Sequence, residues 1–206
     1  MKRSFMFICA AALLLTGCGA SADEASAQLF AMDTVMQLDA YGHQVKQAVS
    51  DAEETIQALE ARLSRTREDS LVSVLNQNGA AQDLSAAEQA LLSEALTFRD
   101  ATGGAFDITI APVMDAWGFT GDSYRVPAQD ELDALLENVN SDEIRLSGSS
   151  VTLGARQAID LGGIAKGYTS DCVEAVFREN KIESGKISLG GNVFVLGGKP
   201  DGADWR

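Results

Sequence analysis

The sequence contains one histidine, three cysteines and three prolines in 206 residues, and only sixteen lysines and arginines against thirty aspartates and glutamates. A single histidine excludes a His-rich metal site. A formal charge of −14 argues against a nucleic-acid binder, whose footprint is a basic face. On so acidic a chain, a phosphate-bearing ligand must draw much of its positive field from metal ions or backbone amides. The spacings of a Walker A loop, a GxGxxG dinucleotide loop, a GxSxG nucleophile elbow and a CxxC pair are all absent. His43 stands at the start of a helical pattern without triad partners and reads as a surface residue. What is present, 46% hydrophobic and 22% charged residues, is ordinary globular composition, and the length suits one domain.

The N-terminus reads as an address. Lys2 and Arg3 precede the apolar run from Phe5 to Leu15, too short to span a bilayer but suited to a secretory signal. Leu15-Thr16-Gly17-Cys18 resembles the bacterial lipobox, in which the cysteine is lipidated and becomes the new N-terminus. Residues 1–17 are therefore expected to be a lipoprotein signal peptide and 18–28, rich in Ala and Ser, a flexible tether. The remaining 29–206 would form a domain held by lipid on the extracytoplasmic face of the cell membrane. Removing Lys2 and Arg3 takes the charge from −14 to −16. Cys9 leaves with the signal and Cys18 carries lipid, so Cys172 is the one ordinary thiol, at a helical apolar position that reads as core.

Thr34, Met36, Leu38 and Ala40 share one parity while Gln37 and Asp39 share the other, which predicts a half-buried strand within 29–41. Val45, Val49, Ala52, Ile56, Leu59 and Leu63 step by three and four, an amphipathic helix. Residues 64–83 read as loop and short helix. Ser85-Ala86-Ala87-Glu88 is a capping box opening a helix to about Ala101 that buries Leu91, Leu92, Ala95 and Phe98. Pro127 to Val139 predicts a short acidic helix, and strands are expected at 143–147, 150–154 and 157–161. Ile164 to Glu179 predicts a third long helix burying Ile164, Cys172, Val173, Val176 and Phe177. Strands at 186–190 and 192–197 would pair across glycines. Helices between groups of antiparallel strands indicate one α+β domain.

Three glycine-flanked segments could carry chemistry. Thr102-Gly103-Gly104-Ala105-Phe106-Asp107 allows close backbone approach beside an aromatic ring, or is simply a helix end running into a strand. In Asp160-Leu161-Gly162-Gly163-Ile164-Ala165-Lys166 a helix start follows two glycines, a natural anion site to which Lys166 adds charge; glycine for packing is the alternative. Leu189-Gly190-Gly191-Asn192 needs no more than a tight hairpin.

Taken in order, these segments resemble the ApbE family, the FAD:protein FMN transferases often exported as lipoproteins. Ala31-Met32-Asp33-Thr34 stands where the family has Met-Gly-Thr. Leu63-Ser64, Ser70 and Leu75-Asn76 look like the loop after its first helix. Gly103 to Thr109 with Pro112 and Trp117-Gly118-Phe119 is similar to its GGAFDxT…P…WGF block, and Asp160 to Tyr168 matches DLGGIAKGY. Gly190-Gly191-Asn192 and Trp205 complete the series. The resemblance implies an ApbE-like (T-fold-like) domain of antiparallel sheets and packed helices. It implies Mg²⁺-dependent transfer of FMN from FAD to a threonine hydroxyl of an acceptor protein, such as a membrane redox subunit, with release of AMP. Met32, Ala105, Phe106, Asp107, Asp160 and Lys166 would contact FAD, and the Gly163 carbonyl would meet the metal. A FAD pyrophosphatase using water at the same site, and a non-catalytic flavin-binding lipoprotein, are the competing readings. Two departures stand out: Asp33 replaces the family's glycine, and Thr66 falls where many members have a flavin-contacting tyrosine. The family pattern also continues for roughly a hundred residues, with an Asp-Ala-x-x-Thr motif bearing metal ligands. The 206 residues are thus expected to be the N-terminal two-thirds of the domain, with side-chain metal ligands beyond Arg206, and not to turn over alone.

Overall fold

The computed structural model describes residues 23–121 and 123–206; the readings on the signal, Cys18 and tether residues 18–22 lie outside these. Two antiparallel strands, β1 (Asp23–Ala31) and β2 (Thr34–Gly42), open the fold. Helices α1 (Val45–Leu63) and α2 (Leu71–Asn78), strand β3 (Ala80–Ala81) and helix α3 (Ala86–Ala101) follow. Next come α4 (Ala111–Trp117), α5 (Gln129–Leu136), β4 (Arg145–Ser147) and β5 (Ser150–Thr152). Helix α6 (Gly162–Glu179) and the hairpin of β6 (Ser184–Leu189) and β7 (Asn192–Leu196) close it. One sheet has the order β1-β2-β6-β7 and a smaller one β3-β5-β4, and every pairing is antiparallel. This is the α+β class that the pattern of elements predicts.

The alternation in β2 places Met36, Leu38 and Ala40 fully inside, against α1 and α6 in a core that also holds Val173, Phe177 and Ile187. A second core gathers Leu75, Leu91, Leu92, Ile108, Ile159 and Leu161 around α2, α3 and the small sheet. Each fully buried Leu, Ile or Phe contributes roughly 1.5–3 kcal/mol, so both clusters matter on the scale of a domain's stability. Helix α6 joins them: Ala165 near its start belongs to the second core, and Val173 and Phe177 further along belong to the first.

Several expectations need correction. The strand within 29–41 is a hairpin, turning at Met32 (φ 49°) and Asp33 (φ 57°). Two successive left-handed residues match the strand twist, but neither is glycine, so the sequence gives little sign of a turn. Asp23 to Gln28, expected to be tether, therefore lie in β1 and pair with β2, where Ala25, Ala27 and Leu29 rest on the core. Residues 157–161 form no strand, because the Asn76 side chain takes the place of a neighbour: its Nδ2 donates to Ile159 O at 2.9 Å and its Oδ1 accepts from Ile159 N at 2.7 Å. Phe98 is 46% exposed, and Ile164, Cys172 and Val176 are half-buried rather than core. Helix α3 starts at the capping box as expected, with Ser85 Oγ accepting from Glu88 N and Glu88 from Ser85 N.

A non-glycine residue at positive φ costs roughly 1–2 kcal/mol. The greater chain entropy that glycine loses offsets about 0.5–1 kcal/mol of this, so the Asp33→Gly substitution should stabilise the β1–β2 turn by about 0.5–1 kcal/mol. Urea denaturation should show the midpoint rising with an unchanged slope.

Candidate active site at the start of helix α6

The approach to α6 is fixed from several directions. Asp160 N donates to Ile108 O at 2.8 Å, just after the clasp of Asn76 on Ile159. Leu161 is the N-cap, and its carbonyl accepts from both Ile164 N (3.0 Å) and Ala165 N (2.8 Å). Asp160 turns back on the helix it precedes, with Oδ1 accepting from Gly162 N at 2.7 Å. The expected anion site is thus partly filled by the chain's own carboxylate, and the positive end of the helix already faces an anion. The second Asp160 oxygen accepts from Arg65 Nη1 at 3.1 Å, while Arg65 Nη2 donates to both oxygens of Asp115 at 2.8 and 2.9 Å.

Glycine is required here for close approach. A Cβ on Gly163 would lie 3.0 Å from Phe106 Cε2, and one on Gly162 would lie 2.9 Å from Asp160 Oδ1. Asn192, after the β6–β7 turn, donates through Nδ2 to Lys166 O (3.3 Å) and Ser170 Oγ (2.9 Å). Met32 N donates to Glu60 Oε1 at 2.9 Å, and the Met32 thioether meets Thr169 Oγ1 at 3.7 Å.

Two cavities share this helix start as part of their walls. One, of about 550 Å³, is bounded by Phe98, Phe106, Gly163, Lys166, Tyr168 and Asn192. The other, of about 600 Å³, is bounded by Met32, Asp33, Arg65, Phe119, Asp160 and Lys166. Gly162 and Lys166 line both. The structure therefore brings together Met32, Phe106, Asp160, Gly163 and Lys166 of the residues expected from the sequence. Ala105 is exposed beside Phe106 and lines neither cavity.

Asp107 is the exception, because its carboxylate points into the protein. It is 6% exposed, and it accepts from Thr109 N and Oγ1 and from Ser141 N and Oγ. Burial pushes its pKa up, but those donors together outweigh burial and hold it below the usual 3.8. Its side chain fastens the segment after Phe106 to the turn before β4, leaving only its backbone for a ligand.

The ApbE family model matches residues 32–206. The chain belongs to the ApbE family. A Vibrio cholerae relative named FAD:protein FMN transferase is 26% identical over 99% of this chain and 64% of its own length. One from Treponema pallidum with the same name is 31% identical over 75% of this chain and 45% of its own. The chain thus spans less than two-thirds of the length of these relatives. Among solved structures, the Thermotoga maritima ApbE protein superposes with a TM-score of 0.81 at 26% identity, over 86% of this chain and 60% of that one. The Vibrio cholerae flavin transferase ApbE gives a TM-score of 0.80 at 24% identity, over 90% of this chain and 63% of that one.

In this ApbE chain, no group of three or more His, Cys, Asp or Glu side chains stands close enough to hold a metal among the described residues. The Gly163 carbonyl lies within the first turn of α6 and is one oxygen, whereas Mg²⁺ takes near-octahedral oxygen coordination. These residues do not make a magnesium site. Tyr168, which lines the smaller cavity, and Cys172 beside it could act as nucleophiles but are held in their protonated forms. Burial pushes the Cys172 thiol above its usual value, and burial with the neighbouring thiol raises Tyr168 to about 12.

Sequence reasoning missed Arg65 and Tyr124, and gave Phe119 no role. All three line the larger cavity, and Trp117 stacks on Phe119 with centroids 6.0 Å apart. Trp117-Gly118-Phe119 stood out as a motif without a role. Nothing local distinguishes Arg65 from the neighbouring Arg62 and Arg67, since its partners lie 50 and 95 residues away.

Because the folded-state pKa of Asp107 is depressed, its stabilisation is fully present above pH 3.8 and is lost as pH falls through its lower folded value. Asp107→Asn replaces an acceptor with a donor facing donors, and should cost about 2–3 kcal/mol at neutral pH. Urea titrations from pH 2 to 7 should show wild type and variant converging below pH 3.8.

Proposed function

We propose that this chain provides the FAD-binding portion of an FAD:protein FMN transferase. Supporting this reading is the pair of cavities meeting over Gly162 and Lys166. A ligand with ring systems at both ends and a pyrophosphate between them has that shape, and its charge would fall beside the Lys166 ammonium and the α6 start. The two curated relatives above carry the same activity in their names. The acceptor's threonine oxygen attacks the phosphorus on the riboflavin side. One P–O bond forms to that oxygen, the P–O bond to AMP breaks with its electron pair leaving on the AMP phosphate, and the hydroxyl proton passes through solvent to that phosphate. Lys166 offsets charge accumulating on the pyrophosphate oxygens, while Phe106 and Phe119 supply flat apolar walls for rings.

Mg²⁺ dependence is part of the same reading, the metal supplying charge neutralisation. The described residues do not form its ligand shell. The full-length protein, given FAD, Mg²⁺ and a threonine-bearing acceptor, should yield an acceptor that stays fluorescent in denaturing electrophoresis, with stoichiometric AMP. Lys166→Met should lower kcat/KM for FAD by roughly 10- to 100-fold, the loss of one charge-assisted contact. A non-fluorescent acceptor with AMP still released would identify hydrolysis instead, and neither product would overturn the reading.

We further propose attachment to the outer face of the cell membrane through lipid on Cys18, supported by the Leu15–Cys18 motif. Among the described residues no helix is long and apolar enough to cross a membrane. The Cys18→Ser protein should lose incorporation of labelled fatty acid. Retention of label would refute the assignment.

A further inference from the structure

We infer that Arg65 is a positioning residue for the FAD site and acts through Asp160, an inference that rests on the transferase reading above. Its backbone is fixed first. The Arg65 carbonyl accepts from Ser73 Oγ at 2.8 Å, in the opening turn of α2, and Ser64 before it accepts from Ser70 Oγ. From this held loop the side chain runs inward until only 14% remains exposed. Its two Nη atoms reach carboxylates of different segments, Asp115 on α4 and Asp160 before α6. Its Nε is sealed from water without an acceptor. A buried donor left unmet is unfavourable, so the guanidinium is oriented by its two carboxylates rather than by complete satisfaction of its own donors.

The consequence falls on Asp160. With one oxygen on Arg65 and the other on Gly162 N–H, the carboxylate is held at both ends at the edge of the larger cavity. An unpaired carboxylate there would repel a pyrophosphate and could swing out of the helix cap. Arg65 prevents both by neutralising the charge and fixing the plane. A planar fork does this and an ammonium does not, since lysine can meet only one carboxylate squarely. Asp115 is half exposed and serves chiefly as the outer rest for the guanidinium.

The test is a coupling cycle in the full-length protein. FAD affinity is read by flavin fluorescence, and the Gly162 amide by hydrogen exchange in the free protein. Arg65→Met should weaken FAD at least tenfold and speed Gly162 exchange at least tenfold. In an Asp160→Ala background the same change should alter affinity less than twofold. Arg65→Lys, which keeps the charge and guards against a folding failure, should lose threefold or more. In turnover the loss should fall on KM for FAD, with kcat within threefold and the melting temperature within about 3 °C. Full additivity of the Arg65 and Asp160 changes, or Gly162 exchange unaltered in Arg65→Met, would overturn the inference. Wild-type protein that binds no FAD would instead overturn the transferase reading, while the exchange measurement would still decide whether Arg65 holds Asp160.

Discussion

The N-terminal half of α6, with Asp160 just before it, is the part on which the rest of the site depends, because four distant segments are fastened there. Phe106 lies against Gly163, where a Cβ would sit 3.0 Å from its ring. Asn192 bonds to Lys166 O and Ser170 Oγ, Met32 meets Thr169, and Arg65 holds Asp160. The helix can accept these contacts because its two ends are seated in different cores. Phe177 is fully buried under the large sheet, and Gly185 has no side chain there because a Cβ would stand 3.1 Å from that ring and 2.9 Å from Asp39 O. Ala165 and Leu161 are seated in the other core. Packed interiors resist small displacements, so a helix held in two of them presents its first turn in one place. The two cavities lined by that helix start inherit its fixed geometry.

The same helix start resolves an apparent conflict in the charge of the chain. A protein at −14 is a poor host for a pyrophosphate, yet two cations, Arg65 and Lys166, line the larger cavity. Arg65 is balanced by Asp115 and Asp160, so its charge organises the wall rather than attracting a ligand. Lys166 differs: none of the ion pairs among the described residues includes it, and it lines both cavities. The acidic balance elsewhere is mainly surface, where exposed carboxylates are screened over about 8–10 Å at physiological salt. Local geometry rather than net charge therefore sets the field that a ligand meets.

Legibility from the sequence followed the range of the interactions. The capping box at Ser85 and Glu88, the stepping of apolar residues in α1 and the parity of β2 are local, and each placed its element correctly. The β1–β2 turn was hidden because Met32 and Asp33 adopt left-handed conformations that neither residue advertises. Ile159 read as a strand because it is apolar and buried, but its backbone partner is a side chain 83 residues away. Phe98 sat at helical spacing with Leu91 and Ala95, yet it faces a cavity rather than a core. Family resemblance brought Met32, Phe106, Asp160, Gly163 and Lys166 to notice, and the structure places all five around one helix start. It also drew attention to Asp107, whose side chain serves the fold. A motif marks that a residue matters without saying whether its side chain faces ligand or protein.

That distinction applies to the three glycine pairs, which looked alike in the sequence and differ physically. Gly103 and Gly104 have φ of 62° and 84° with open space around their Cβ positions, so conformation is what they provide, ending α3 and turning the chain toward Phe106. Gly162 and Gly163 lie within a regular helix, where glycine is conformationally unfavourable; their value is closeness, to Asp160 Oδ1 and to the Phe106 ring. Gly190 needs both, with φ 59° and a Cβ that would fall 2.3 Å from Thr34 Oγ1, while Gly191 (φ 97°) needs only the turn. The middle pair is thus the one whose glycines are not explained by backbone conformation. The helix gives up some intrinsic stability there, and in exchange a carboxylate and an aromatic ring approach its first turn, which is where the two cavities meet.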